Sequence, residues 1–185
     1  DQLRRDGFPY VAFKPGTVEA ILRVVDIARA AGDVSVLVQV EDGHSGGLHS
    51  WEDLDELMLA TYATLRSVPN VVVCVGGGIG TPARAAEWLT GTWALRHDRP
   101  PMPVDGVLVG TAAMTVKEAR TTDEVKAMLV ATPGVDPHDG RGGWIASGTT
   151  RGGMTSGLSH LRADMHEVDN AAAEAARLIA QIGGD

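Results

Sequence analysis

Two histidines, three glycines and five carboxylates fall within sixteen positions of "VEDGHSGGLHSWEDLD", residues 40–55. Histidine can move a proton near neutral pH, and glycine lets a ligand approach the backbone, so this loop is a candidate reaction site. A second stretch, "VCVGGGIGTPARAAEWL" (73–89), runs from an apolar strand through Gly76, Gly77, Gly78 and Gly80 into a helix start. Backbone amides exposed by such glycines, together with a helix N-terminus, suit a phosphate. The dinucleotide pattern G-x-G-x-x-G fails here: its last place falls on Thr81 counted from Gly76, and on Ala83 counted from Gly78. A third stretch, "VDGVLVGTAAM" (104–114), puts Gly110 and Thr111 directly after another apolar run.

Four short β-branched runs must position these loops: "YVAF" (10–13), "SVLVQV" (35–40), "VVVCV" (71–75) and "VDGVLVG" (104–110). They are continuous rather than alternating, which predicts strands of a parallel sheet buried on both faces. Helical patterns follow. Ile21, Leu22, Val25 and Ala28 share one face after Thr17; Leu54, Leu57, Met58 and Leu65 share another after Ser50. Ser50 with Asp53, and Thr115 with Glu118, have capping-box spacing; Thr81 before Pro82 reads as an N-cap with proline at the first helical position. Four βα units fit an open doubly wound sheet or half of a (β/α)₈ barrel, since a full barrel takes about 250 residues. Glycine-rich loops after two consecutive strands match the barrel phosphate site after strands 7 and 8, which makes "YVAF" strand 5 and "SVLVQV" strand 6. The fold class expected is therefore α/β: the C-terminal half of a (β/α)₈ TIM-type barrel over 1–114, then a loop-rich, helical extension over 115–185. Within that extension 132–158 reads as a long irregular loop. From Ser159, the residues Leu161, Met165, Val168, Ala172, Ile179 and Ile182 mark one face of a long helix that stops at Gly183.

The chain has 185 residues, enough for a real core, but only eight aromatic Phe, Trp or Tyr side chains, so small aliphatics are expected to carry the packing. A net charge of −8 with no basic stripe argues against nucleic acid and membrane surfaces as partners. The lone Cys74 lies in a strand pattern and has no internal disulfide partner, which favours a reducing, cytoplasmic setting. No apolar run approaches the ~18 residues of a membrane span. The chain opens "DQLRRDG" without a methionine, so a longer parent is expected.

The stretches "VEDGHSGGLHSWEDLD", "CVGGGIGTPARAAEWLTGTW", "PPMPVDGVLVGTAAMTVKEA" and "GGMTSGLSHLRADMHEVDNAA" resemble the enoyl-reductase region of bacterial and fungal type I fatty acid synthases. The resemblance runs from "FKPGT" to the C-terminus, and more distantly the pattern is similar to nitronate monooxygenases and flavin-dependent enoyl reductases. It implies an FMN-binding barrel that reduces the enoyl group of an acyl chain, held on an acyl carrier domain, with NADPH. Other synthase domains and a homo-oligomeric assembly would be its partners. Position by position, Gly77, Gly78 and Gly80 match the first FMN-phosphate loop, and Gly110 and Thr111 the second. Gly46, Gly47, Gly76 and Ala112 complete the candidate cofactor-binding set. Lys14, in "FKPG", is implied to face the flavin and polarise its ring. The family loop usually reads Gly-Gly-His-His-Ser, whereas this chain has "GGLHS", with Leu48 in the first histidine's place and His49 following. Leucine can neither donate nor accept a proton. Either His49 or His44 serves, the donor lies elsewhere, or this copy is impaired; His49 is the candidate catalytic residue together with Lys14. A flavin oxidase of the nitronate-monooxygenase kind and a non-catalytic synthase segment remain as rivals.

Other polar clusters read more plainly. No His/Cys/carboxylate set with metal-ligand spacing accompanies Glu41, Asp42, Glu52, Asp53, Asp55 and Glu56, and most of them are expected as helix N-terminal charges and a solvated face. Asp164, His166, Glu167 and Asp169 are expected on the polar side of the last helix. Ser147, Ser156 and Ser159 have no nucleophile-elbow context.

Overall fold

The computed structural model describes residues 2–134, 150–160 and 162–183. In chain order the elements are helix α1 (Gln2–Arg5), strand β1 (Tyr10–Phe13), helix α2 (Val18–Ala31), strands β2 (Ser35–Glu41) and β3 (Gly47–Leu48), helix α3 (Leu54–Arg66), strand β4 (Val71–Gly76) and helix α4 (Pro82–Thr90). A 3-10 helix (Thr92–His97), strand β5 (Gly106–Leu108), helices α5 (Thr111–Met114) and α6 (Asp123–Ala131), strands β6 (Thr150–Arg151), β7 (Met154–Leu158) and β8 (Asp164–Val168), and helix α7 (Ala171–Ile182) follow. They form two compact units. The first holds residues up to Gly43 together with Ser50–Gly110; the second holds His44–His49 and the residues from Thr111 onward.

In the first unit the four expected runs pair in parallel, in the order β1-β2-β4-β5. Register sets Val36, Val38 and Val40 beside Val71, Val73 and Val75, and all six are buried. Ile21, Val25 and Ala28 of α2 and Leu54, Leu57, Met58 and Leu65 of α3 belong to the same core. Full burial of one such aliphatic contributes roughly 1.5–3 kcal/mol. Leu22, assigned to the buried face by periodicity, is 40% exposed, and Val24 takes its place in the core. Aliphatics do not carry the packing alone, because Trp88 and Trp93 are fully buried with ring centroids 4.4 Å apart.

Helix starts follow local chemistry with one shift. Thr17 accepts from the Ala20 amide and Thr81 from the Arg84 amide, each at 3.2 Å, and Pro82 opens α4. Asp53, rather than Ser50, caps α3 by accepting from the Glu56 amide at 3.1 Å; the Ser50 hydroxyl instead donates to the Glu41 carbonyl at 3.1 Å. The strands are also less symmetric than expected. On the sheet face away from the helices, Tyr10, Val72 and Leu108 are 65%, 36% and 47% exposed, so burial on both faces is not what the described residues show. The sheet ends at β1 and β5 and forms no closed barrel among those residues.

The second unit differs more from expectation. Its sheet has the order β3-β8-β7-β6 and every pairing is antiparallel. The helix expected from Ser159 starts only at Ala171, where the Asn170 side chain accepts from the Ala172 and Ala173 amides at 3.0 Å. Met165 and Val168 lie on β8 instead, and Leu161 is outside the described residues. A tight turn decides this: Ala163 donates its amide to the Ser159 hydroxyl at 3.1 Å, Ser159 donates to the Ala163 carbonyl at 2.9 Å, and Arg162 takes φ 59°. Part of the stretch read as irregular loop is also a hairpin. Gly152 and Gly153, at φ 59° and 75°, make the two-residue turn between β6 and β7, a geometry that requires positive φ at both positions. Residues 135–149, with Ser147, lie outside the described residues. Thr115 and Glu118 start no helix; α6 is capped by Thr122.

Candidate functional site

In the first unit, chemistry-bearing residues gather at the C-terminal ends of the parallel strands. Lys14 follows β1, and its ammonium lies 2.8 Å from the carboxylate of Glu41, the last residue of β2. The Glu41 side chain is only 6% exposed and also accepts from the Gln39 side-chain amide. Glu41 and Asp42 are thus buried, not part of a solvated face. Alternation along a strand that continues one residue beyond "SVLVQV" puts Gln39 and Glu41 on the same side, and that was the signal available for Glu41.

Strands β4 and β5 are neighbours, with Gly76 opposite Leu108, so their following loops start side by side. Gly77 and Gly78 adopt φ 109° and 61°, a conformation that turns backbone amides and resists a side chain. A Cβ on Gly76 would lie 2.8 Å from the Gln39 amide nitrogen, whereas one on Gly110 would meet nothing within 4 Å. Gly80 is exposed and precedes the Thr81 cap.

The second unit holds the other candidates. Thr111 and Ala112 begin α5, and a Cβ on Gly46 would come within 2.7 Å of the Thr111 hydroxyl, so these two elements approach closely. β3 pairs with β8, Gly47 opposite His166 and Leu48 opposite Met165. His49 stacks on His166 with ring centroids 3.5 Å apart and planes 12° apart, and its Nε2 lies 3.4 Å from the Ser156 hydroxyl. Leu48, on the opposite side of β3, is 47% exposed.

His166, expected on a helix's polar side, is a buried strand residue at 4% exposure. Burial, then the charge of His49, pushes its pKa down to about 4 against the opposing pull of the Ser45 carbonyl it donates to. The Gly-Gly turn signal could have revealed the β6–β7 hairpin, but nothing local announces that β8 reaches β3. Lys14 and the Gly76–Gly80 turn belong to the first unit; His49, Gly46, Gly47, Thr111 and Ala112 belong to the second. Among the described residues no three His, Cys, Asp or Glu side chains converge as metal ligands, and no helix is long and apolar enough to cross a membrane.

The family model described as fatty acid synthase subunit beta/Fas1-like, helical, matches residues 35–185. The chain belongs to this family. Among similar proteins, a fatty acid synthase subunit beta of Gibberella zeae is 40% identical over 159 residues, 86% of this chain and 8% of that protein. The fatty acid synthase subunit beta of Schizosaccharomyces pombe is 37% identical over 164 residues, covering 88% and 8% respectively. Fatty acid synthase 2 of Mycosarcoma maydis is 36% identical over 170 residues, 92% of this chain and 4% of its own length. The chain therefore spans less than a tenth of these relatives. The match to the Fas1-like family takes in β2, β4 and β5 with their glycine turns, and all of the second unit. In this Fas1-like chain the matched span is mixed α/β, with a parallel and an antiparallel sheet, rather than helical alone.

Proposed function

We propose that this segment is the second half, strands 5 to 8, of an FMN-binding enoyl-reductase barrel within a fatty acid synthase polypeptide. It would act on an acyl chain held by an acyl carrier domain, with NADPH as reductant, in an assembly of synthase subunits. The observation that carries this reading is the pair of glycine turns on adjacent parallel strand ends, β4 and β5, in a chain of the synthase family. The residues fit a phosphate: Gly77 and Gly78 hold positive φ, and Gly110 faces open space. The turn at 76–80 and Gly110, on the neighbouring strand end, would hold the FMN phosphate. When bound, FMN supplies hydride transfer between NADPH and the β-carbon of the enoyl thioester.

The chain's own residues then orient and protonate. Glu41 fixes the Lys14 ammonium at the end of β1, where it can polarise a bound ring. His49 provides the proton for the α-carbon. The uncovered sheet face fits a barrel interior completed by further βα units.

The test is Gly78→Val in the full-length synthase. At φ 61° a β-branched residue is strained, and it would block approach of an anion to the turn. The purified variant is expected to lose its flavin absorbance while remaining assembled. A variant as yellow as the wild type would overturn the assignment.

A second reading, a synthase segment impaired in the acyl step, is favoured by Leu48. It occupies the place of the family histidine, and its exposed side chain lies on the opposite side of β3 from His49.

A further inference from the structure

We propose that His166 of β8 is the positioning residue for His49, fixing the plane of its imidazole and the direction of its Nε2. For the reaction it serves, this rests on the enoyl-reductase reading above.

The geometry comes from a three-strand rung. β8 runs between β3 and β7, with His166 opposite Gly47 on one side and opposite Ser156 on the other. His49 directly follows β3, and its ring lies on that of His166, the residue paired with Gly47. The backbone holds the pair together beyond the end of β3, because the His49 amide donates to the Asp164 carbonyl at 3.4 Å. The result is the near-parallel stack at 3.5 Å, with Ser156 3.4 Å from His49 Nε2. A ring packed face to face on a buried partner cannot turn about its χ2 without breaking the contact.

The support is itself fixed. His166 is 4% exposed, and its imidazole donates to the Ser45 carbonyl. Its Nε2 has no hydrogen-bond partner among the described residues. The roles divide accordingly. With a pKa held down to about 4 by burial and by His49, His166 stays neutral in the neutral range and is no proton source there. The candidate proton source is therefore the half-buried His49.

The test uses the full-length synthase with two readouts. Carbethoxylation of His49 by diethyl pyrocarbonate, followed by peptide mass spectrometry, reports whether the ring is held. Stopped-flow reoxidation of the reduced flavin by an enoyl thioester reports the proton-dependent half-reaction, and flavin content checks that each variant is folded. In His166→Ala, modification of His49 is expected to rise severalfold, and flavin reoxidation to slow by roughly ten- to a hundredfold, as for a misplaced catalytic group. His166→Phe, which keeps a ring face, should return both values toward the wild type. The double variant His49→Ala/His166→Ala should be no slower than His49→Ala alone, because the two side chains act through one group. Unchanged His49 modification in His166→Ala, or failure of His166→Phe to restore either value, would overturn the proposal. A wild-type synthase that holds no flavin, or does not reduce the enoyl group, would overturn the enoyl-reductase reading, while the modification rates still decide whether His166 holds His49.

Discussion

At the scale of single residues, the question is which side of β3 carries the proton. Leu48 and His49 are consecutive in an extended segment and so present opposite faces: Leu48 outward at 47% exposure, His49 onto His166 and Ser156. A histidine at position 48 would therefore stand where His49 does not reach. If His49 is the donor, His49→Ala should slow enoyl-dependent flavin reoxidation by about 10²–10⁴-fold, the usual worth of general acid catalysis. If the acyl step is impaired at Leu48, Leu48→His should accelerate that same half-reaction. Stopped-flow flavin absorbance in the full-length synthase separates the two, and no effect of either substitution on reoxidation would make the loop a connector. The motif "GGLHS" was legible as chemistry in the sequence. His166 was not, since its contacts with Gly47 and His49 close over more than a hundred residues and follow no local period.

At the scale of elements, the helices were legible where a cap and an apolar stripe agree, as at Thr17, Thr81 and the Leu54–Leu65 face. The last helix was overextended because Met165 and Val168 fit a three-residue step as well as a strand, and only pairing with β7 and β3 selects the strand. One ionic cluster ties α3 to the 3-10 helix. Asp55 accepts from His97 at 2.9 Å and pairs with Arg96 at 2.6 Å and Arg84 at 3.5 Å, with its side chain 14% exposed. Burial by itself would raise the Asp55 pKa, but the His97 and Arg96 hydrogen bonds and the two arginine charges outweigh it and hold it below the ordinary 3.8. A carboxylate depressed in the folded state stabilises above its unfolded pKa, and that stability is lost as pH falls through the folded value. Asp55→Asn is expected to lower the opening free energy of α3 and the 3-10 helix by about 1–3 kcal/mol at pH 7. Amide hydrogen exchange in the full-length protein measures it. The difference from wild type should shrink once the pH drops below 3.8, and a difference that persists there would rule out the carboxylate's charge as its source.

At the scale of the whole molecule, the parallel sheet has one face packed by helices and one that leaves Tyr10, Val72 and Leu108 exposed, with edges at β1 and β5. Uncovered apolar faces and open strand edges invite association. Residues 1–185 expressed alone should bind ANS and self-associate, whereas the same segment inside the full-length synthase should do neither. A monodisperse, ANS-silent fragment at micromolar concentration would show that the sheet needs no covering.

What the sequence determined by itself was what depends on neighbours in the chain: the four β-branched strands, the glycine turns that follow two of them, and the threonine caps before the helices. Their parallel pairing was also legible, because a helix between successive strands returns the chain in the same direction. Only the tertiary structure decided the rest. The sequence listed Glu41 with the solvated carboxylates, and the ion pair with Lys14 buried it. It placed the 44–49 loop within the 1–114 barrel half, whereas antiparallel pairing of β3 with β8 joins that loop to the second unit. It assigned His166 to a helix surface, and strand alternation turned the ring inward beneath His49. Such outcomes rest on hydrogen bonds between segments far apart in the chain, and the periodicity of either segment alone does not encode the register of the other.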